Sequence, residues 1–146
     1  MFGKKRQNTL NVNLHKKPEK KYYYAALVRI NVNDTSPEIY QNTVKECFTL
    51  IQKHGGDINQ FMGGMILALW GVPMCFISDK ENSINFFNEL QNSELPVSSV
   101  LLNDIGLYGS FGNEARLTVT AISDKIFNAL KEITNCNNRI FINNIE

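Results

Sequence analysis

Between Tyr22 and Ile30 the chain reads Tyr-Tyr-Tyr-Ala-Ala-Leu-Val-Arg-Ile. An aromatic and β-branched run this apolar does not suit a half-exposed edge and predicts a central strand. Ser36-Pro37-Glu38 then carries the marks of a helix start: a capping hydroxyl, a proline at the first helical position and an acid in the first turn. Tyr40, Val44, Cys47, Phe48 and Ile51 recur at helical spacing, and Gly55-Gly56 closes that helix, with His54 a residue of its C-terminal end. Two short apolar runs follow, Ile58 to Met62 and Met65 to Trp70, with only Gly63-Gly64 between them. Two central glycines are a hairpin signal, because primed turns need positive φ. A helix from about Asp79 to Leu90 rests on Ile84, Phe87 and Leu90. Strand character returns over Val97–Leu102 and again around Leu107, punctuated by Gly106, Gly109 and Gly112, and a further strand is expected over Arg116–Ile122. Ile122, Ile126, Ala129, Leu130 and Ile133 are spaced as a helix, Asp124 is read as its N-cap, and Arg139–Ile142 is a last short strand.

The order is therefore βαββαββαβ. Helices alternating with hairpins predict an α+β domain, a mostly antiparallel sheet with helices packed on it and a ferredoxin-like core. Residues 1–20 are polar, contain Pro18 and repeat at neither period 2 nor 3.6, so they read as a flexible basic arm ahead of a domain spanning 21–146.

Composition narrows the class only modestly. The chain has 146 residues, 43% hydrophobic and 20% charged, as in one ordinary globular domain. Its net charge of +1 gives the whole molecule no strong bulk attraction to nucleic acid or anionic lipid, and no nucleic acid is expected as a partner. That value hides an asymmetry: residues 1–21 set seven Lys or Arg against Glu19 alone, a net of +6, which leaves −5 on the rest. Cys47, Cys75 and Cys136 form no CxxC pair and are read as small buried hydrophobes. With only His15 and His54 besides, a zinc site is not expected, and no metal or other cofactor is assigned. No apolar run approaches the roughly 20 residues of a membrane span. A basic N-terminus without a hydrophobic run after it lacks the form of a secretory signal, so a cytoplasmic location is expected.

Three stretches carry a family resemblance. His54-Gly55-Gly56, followed through Gln60 and Gly63-Gly64 to Trp70-Gly71-Val72-Pro73, is similar to the His-Gly-Gly … Lys … Gly-Asp … Phe-Gly-x-Pro run of class III adenylyl and guanylyl nucleotide cyclases. Gly106-Leu107-Tyr108-Gly109-Ser110-Phe111-Gly112 resembles their glycine-punctuated strand turn. Arg116 to Asp124 resembles their Arg-x-x-x-Thr-x-Ile-Gly-Asp stretch. The likeness covers about Tyr22 to Ile142. It implies a fold that cyclises a nucleoside triphosphate with two metals held by two Asp carboxylates, at sites across a head-to-tail homodimer.

Carried over residue by residue, the resemblance implies a lost site. The first metal Asp falls on Arg29 and the second on Gly64, neither of which can bind a metal. The base-contacting Lys falls on Gln60, and its partner position is Thr120. The ribose-orienting Asn falls on Phe127, with Asn128 turned about 100° away along a helix. The transition-state Arg falls on Lys131, which keeps a charge without the bidentate fork. The segment from Ile30 to Ser36 is too short for the family's phosphate-cradling turn, and the chain ends before its last triphosphate-binding Lys. Asp57 after Gly55-Gly56 invites comparison with the Gly-Gly-Asp-Glu-Phe signature of diguanylate cyclases, but the Glu is missing. The expected protein is a catalytically degenerate cyclase-like domain, a regulatory or dimerisation module that meets a second copy or another protein. One alternative is a non-catalytic sensor in which Gln60, Thr120, Arg29 and Lys131 hold a purine nucleotide; another is a cyclase with an atypical site.

Overall fold

The computed structural model describes residues 17–31, 36–113, 115–134 and 138–146. The basic stretch 1–16, positions 32–35 of the first loop and Cys136 lie outside them. The described chain runs β1 (Glu19–Ile30), α1 (Pro37–Lys53), β2 (Asp57–Met62), β3 (Met65–Trp70), α2 (Asp79–Asn92), β4 (Val97–Asn113), β5 (Arg116–Ile122), α3 (Asp124–Thr134) and β6 (Phe141–Asn144). This is the expected α+β order. The sheet is ordered β2-β3-β1-β4-β5, all antiparallel, with β6 added parallel to the first part of β4.

β1 is buried on both faces, as a central strand must be. Its Ala26, Val28 and Ile30 join Ile66, Ala68 and Trp70 of β3 under α1 and α2, where Cys47, Ile51, Phe86 and Leu90 close the layer. Its Tyr23, Ala25 and Leu27 face the other way with Leu67, Leu69, Val100 and Leu102, and Ala129 and Ile133 of α3 cover them. Each fully buried side chain of Leu or Ile size adds roughly 1.5–3 kcal/mol, so one strand sharing two cores carries much of the fold.

The helix ends follow local chemistry. Ser36 caps α1, its hydroxyl accepting from the Ile39 N–H at 3.2 Å. At the far end Gly56 N–H donates to Ile51 O (2.9 Å) and Gly55 N–H to Gln52 O (3.1 Å), the crossed pair of a Schellman motif, with Gly55 at φ +76. Gly63 and Gly64, at φ +59 and +77, make the primed turn expected between β2 and β3. No described helix is long and apolar enough to cross a membrane.

Several expectations need correcting. Gly106 and Gly109 are interior to one continuous 17-residue strand, not to a turn. A Cβ on Gly106 would stand 2.5 Å from the Tyr23 hydroxyl and 2.7 Å from Ile122 O, so close packing and not turning requires it. β1 starts at Glu19, because long β4 extends far enough to pair with Glu19, Lys20 and Lys21. The N-cap of α3 is Ser123, whose Oγ accepts from Ile126 N–H at 3.1 Å, while Asp124 is the first helical residue. Cys75 is exposed; Cys47 is buried, and burial, with the Glu46 charge adding, pushes its thiol up to about 12. β6 begins at Phe141, because Arg139 is occupied at the end of α2: its guanidinium donates to Leu90 O, Gln91 O, Ser93 O and Leu95 O.

Candidate functional site

The positions singled out in the sequence gather on the α3 side of the sheet. Arg29 and Gly64 become neighbours at one end of it: Arg29 pairs with Met65, and Ile30 N–H donates to Gly64 O at 2.8 Å. The likeness implies two metal carboxylates here. Instead Arg29 Nη1 donates to the carbonyls of Ile133 (2.9 Å) and Thr134 (3.0 Å), at the C-terminus of α3. A cation there meets the negative end of the helix dipole and satisfies carbonyls that have no partner within the helix. Arg29 is therefore a helix-capping residue of α3. A guanidinium holding carbonyls and a glycine do not form a donor set for a divalent cation. Among the described residues no group of three or more His, Cys, Asp or Glu is placed to hold one.

Gln60 and Thr120 are brought together although β2 and β5 lie at opposite ends of the strand order. Gln60 Nε2 donates to Thr120 Oγ1 at 2.6 Å, and the Thr120 hydroxyl donates to Asn59 Oδ1 at 2.6 Å. Asn59 Nδ2 in turn donates to Val119 O at 2.9 Å. The coiled sheet thus brings its edges close enough for side chains to bridge them. A bulge makes this possible. Ile58 pairs with Ala68 and Gln60 with Leu67, so Asn59 is the extra residue, and the bulge resets the alternation of side chains along β2. Gln60 and Met62 consequently share the face of Leu67, while Phe61 turns back onto Phe48 of α1.

Asn59 is not among the residues that the sequence pattern singles out. Its signal is the bulge itself, which strict alternation along Ile58–Met62 conceals. Asp57 adjoins the group: burial raises its carboxyl pKa, opposed by a hydrogen bond from Asn59, and the Asp57 charge adds to the burial that raises Tyr108.

Beside Gln60 lies a cleft of about 250 Å³ between α3 and the sheet. Leu27, Met62, Met65 and Leu67 form its floor and Ile126 and Leu130 its wall, with Gln60 the polar group among its described lining. Phe127, where the likeness implies an asparagine, is 56% exposed, and Lys131 Nζ stands 4.5 Å from its ring centroid. That cation–π contact between i and i+4 occupies the lysine at the position where the likeness implies a transition-state arginine. Asn128 faces another cavity, with Glu132 and the end of β6. Gln60 and Thr120 therefore form one unit, and Arg29 and Lys131 are each engaged by other groups of α3.

A sheet of this order with α1 and α2 on one face and α3 on the other has the architecture of class III nucleotide cyclase catalytic domains. The adenylyl cyclase CyaB from P. aeruginosa superposes with a TM-score of 0.63 over 81% of this chain and 74% of its own, at 16% identity. The guanylate cyclase domain of RhGC from Catenaria anguillulae, solved in complex with GTP, gives 0.61 over 82% and 75%, at 12% identity. The guanylyl cyclase domain of the RhoGC fusion protein from Blastocladiella emersonii, solved as a dimer and as a monomer, gives 0.60 over 82% and 77% in its dimeric form, at 12% identity. No family model and no curated protein matches the chain. At these identities the likeness is one of fold.

Proposed function

We propose that this chain is a cyclase-fold domain without cyclase chemistry, acting through association of its α3 face with a second copy or another protein. The observation that carries the reading is Arg29: the residue where the likeness places the first metal carboxylate is built into the end of α3. The neighbouring cleft supports it, since walls of Leu, Met and Ile suit apolar burial in an interface better than a triphosphate. The structural neighbour from Blastocladiella emersonii is solved both as a dimer and as a monomer, so association is one state that this fold takes. The test is incubation with ATP or GTP and Mg²⁺ or Mn²⁺. Cyclic nucleotide is expected to stay at the level of a protein-free blank. Turnover that disappears in Lys131→Ala or Thr120→Ala would sink the proposal.

The Gln60–Thr120 unit favours a second reading, a sensor that binds a purine nucleotide without reacting. Gln60 borders the cleft, and its amide oxygen has no partner among the described residues. Thermal denaturation separates the readings. A nucleotide present at about 100 times its Kd adds roughly 2.7 kcal/mol of stability, a shift that Gln60→Ala should remove. No shift with any purine nucleotide leaves the association reading alone.

A further inference from the structure

The loop joining β3 to α2 runs Met74-Cys75-Phe76-Ile77 with every residue exposed. Met74 is 66%, Phe76 58% and Ile77 106% exposed, although single exposed apolar residues, not runs of them, are the ordinary case. The loop is held in this form and not merely loose: Phe76 N–H donates to the buried Asp79 Oδ2 at 2.7 Å, and Asp79 N–H returns to Phe76 O at 3.1 Å. Its start packs on the beginning of β1, since a Cβ on Gly71 would stand 3.1 Å from Tyr22 O.

That contact fixes which end of the molecule carries the loop. Tyr22 and Tyr24, in edge-on contact at 5.4 Å, stand beside it. Hydrogen bonding to Tyr24 and Asn103 holds the Tyr22 hydroxyl below its ordinary pKa, and the charges of Lys80 and Lys125 add to this, so both ammonium groups belong to the same end. Lys21 and Lys125 pair with Glu19 and Glu146, whereas Lys17, Lys20 and Lys80 carry no ion pair among the described residues. The chain also enters β1 here, through residues 1–17, whose sequence holds Lys4, Lys5, Arg6, Lys16 and Lys17 and no acid.

We propose that this end of the molecule docks on an anionic bilayer, with Met74, Phe76 and Ile77 entering the interface and the surrounding lysines facing the lipid headgroups. An exposed apolar loop with tyrosines and cations at the same end has the chemistry of an interfacial anchor, which holds only when hydrophobic insertion and basic attraction act together. The loop lies at the opposite end of β3 from Gly63-Gly64, roughly 20 Å away for a six-residue strand, so docking leaves the α3 cleft accessible.

The test is flotation of the full chain with phosphatidylcholine–phosphatidylserine vesicles against phosphatidylcholine vesicles alone. Binding is expected only to the anionic vesicles, weakened by added salt, and reduced at least about tenfold by Ile77→Asp or Phe76→Ser, the salt effect following from screening. Both side chains are exposed, so the variants should fold, which circular dichroism checks. Alkylation of Cys75, followed by peptide mass spectrometry, reads the tip directly and should slow when anionic vesicles are present. Absence of vesicle binding overturns the proposal. So does binding that leaves Cys75 alkylation unchanged, which assigns the attraction to the basic segment alone. Self-association abolished by Ile77→Asp without vesicle binding assigns the loop to a second copy and overturns it as well.

Discussion

Two arginines do the same work at two helix ends, and this decides how Arg29 is understood. α2 has no basic residue in its last turn, and Arg139 supplies the missing cation from 44 to 49 residues away. Arg29 binds the terminal carbonyls of α3, whose last turn already holds Lys131, from more than 100 residues away. Charged hydrogen bonds of this kind contribute about 1.5–3 kcal/mol. Arg29→Ala should therefore lower unfolding stability by about 1–3 kcal/mol in urea titrations with no nucleotide present. Arg29→Asp should cost more, because it sets a carboxylate against the negative end of the helix. A ligand-binding role alone predicts unchanged stability in the free protein, and that result would remove the structural argument. Sequence could place Arg29 at the strand end, where the resemblance implies a metal carboxylate. The helix-capping role was hidden, because its partners are backbone carbonyls with no residue signature.

At the scale of elements, glycine pairs that look alike in the sequence have different physical reasons. Gly63 sits at φ +59 with open space where a Cβ would go, so only its backbone conformation restricts it. Gly56 has no such φ, yet a Cβ there would lie 2.7 Å from Trp70 Cζ2 and 2.9 Å from Ile51 Cγ2, both in the core. Gly63→Ala should cost about 1–2 kcal/mol, the cost of a left-handed residue. Gly56→Ala should cost about 1–3 kcal/mol by overpacking, with altered Trp70 fluorescence as its distinguishing mark. Unchanged fluorescence in Gly56→Ala would refute that cause. The hairpin, the first helix and the order of elements along the chain were legible because Gly, Pro and apolar periodicity act locally. The continuity of β4 was not, since Gly106 is needed by Tyr23, a residue distant in sequence. Nor was the meeting of β2 with β5, which depends on a bulge at Asn59 and on how the whole sheet coils.

At the scale of the molecule, the unusual feature is an apolar cleft left open between α3 and the sheet. Exposed Met62 (69%) and Leu130 (37%) line it, on β2 and α3. Without a partner these side chains keep apolar surface in water, and a second copy would bury it. Specific dimers commonly remove about 800 Å² from each partner, and such an interface would take in α3 and the β2–β3 hairpin together. Leu130→Asp is the most discriminating substitution, because it places a charge at the wall of the cleft while Ala129 and Ile133 still hold the helix to the sheet. A hot-spot loss of about 2 kcal/mol is expected, which weakens association roughly thirtyfold. Sedimentation across a concentration series should show the parent chain associating and the variant shifted toward monomer. Ile77→Asp, at the opposite end of β3, serves as the control and should associate like the parent. Association unchanged by Leu130→Asp would detach the cleft from any dimer. Loss in both variants together would point to a general surface effect instead of an α3 interface.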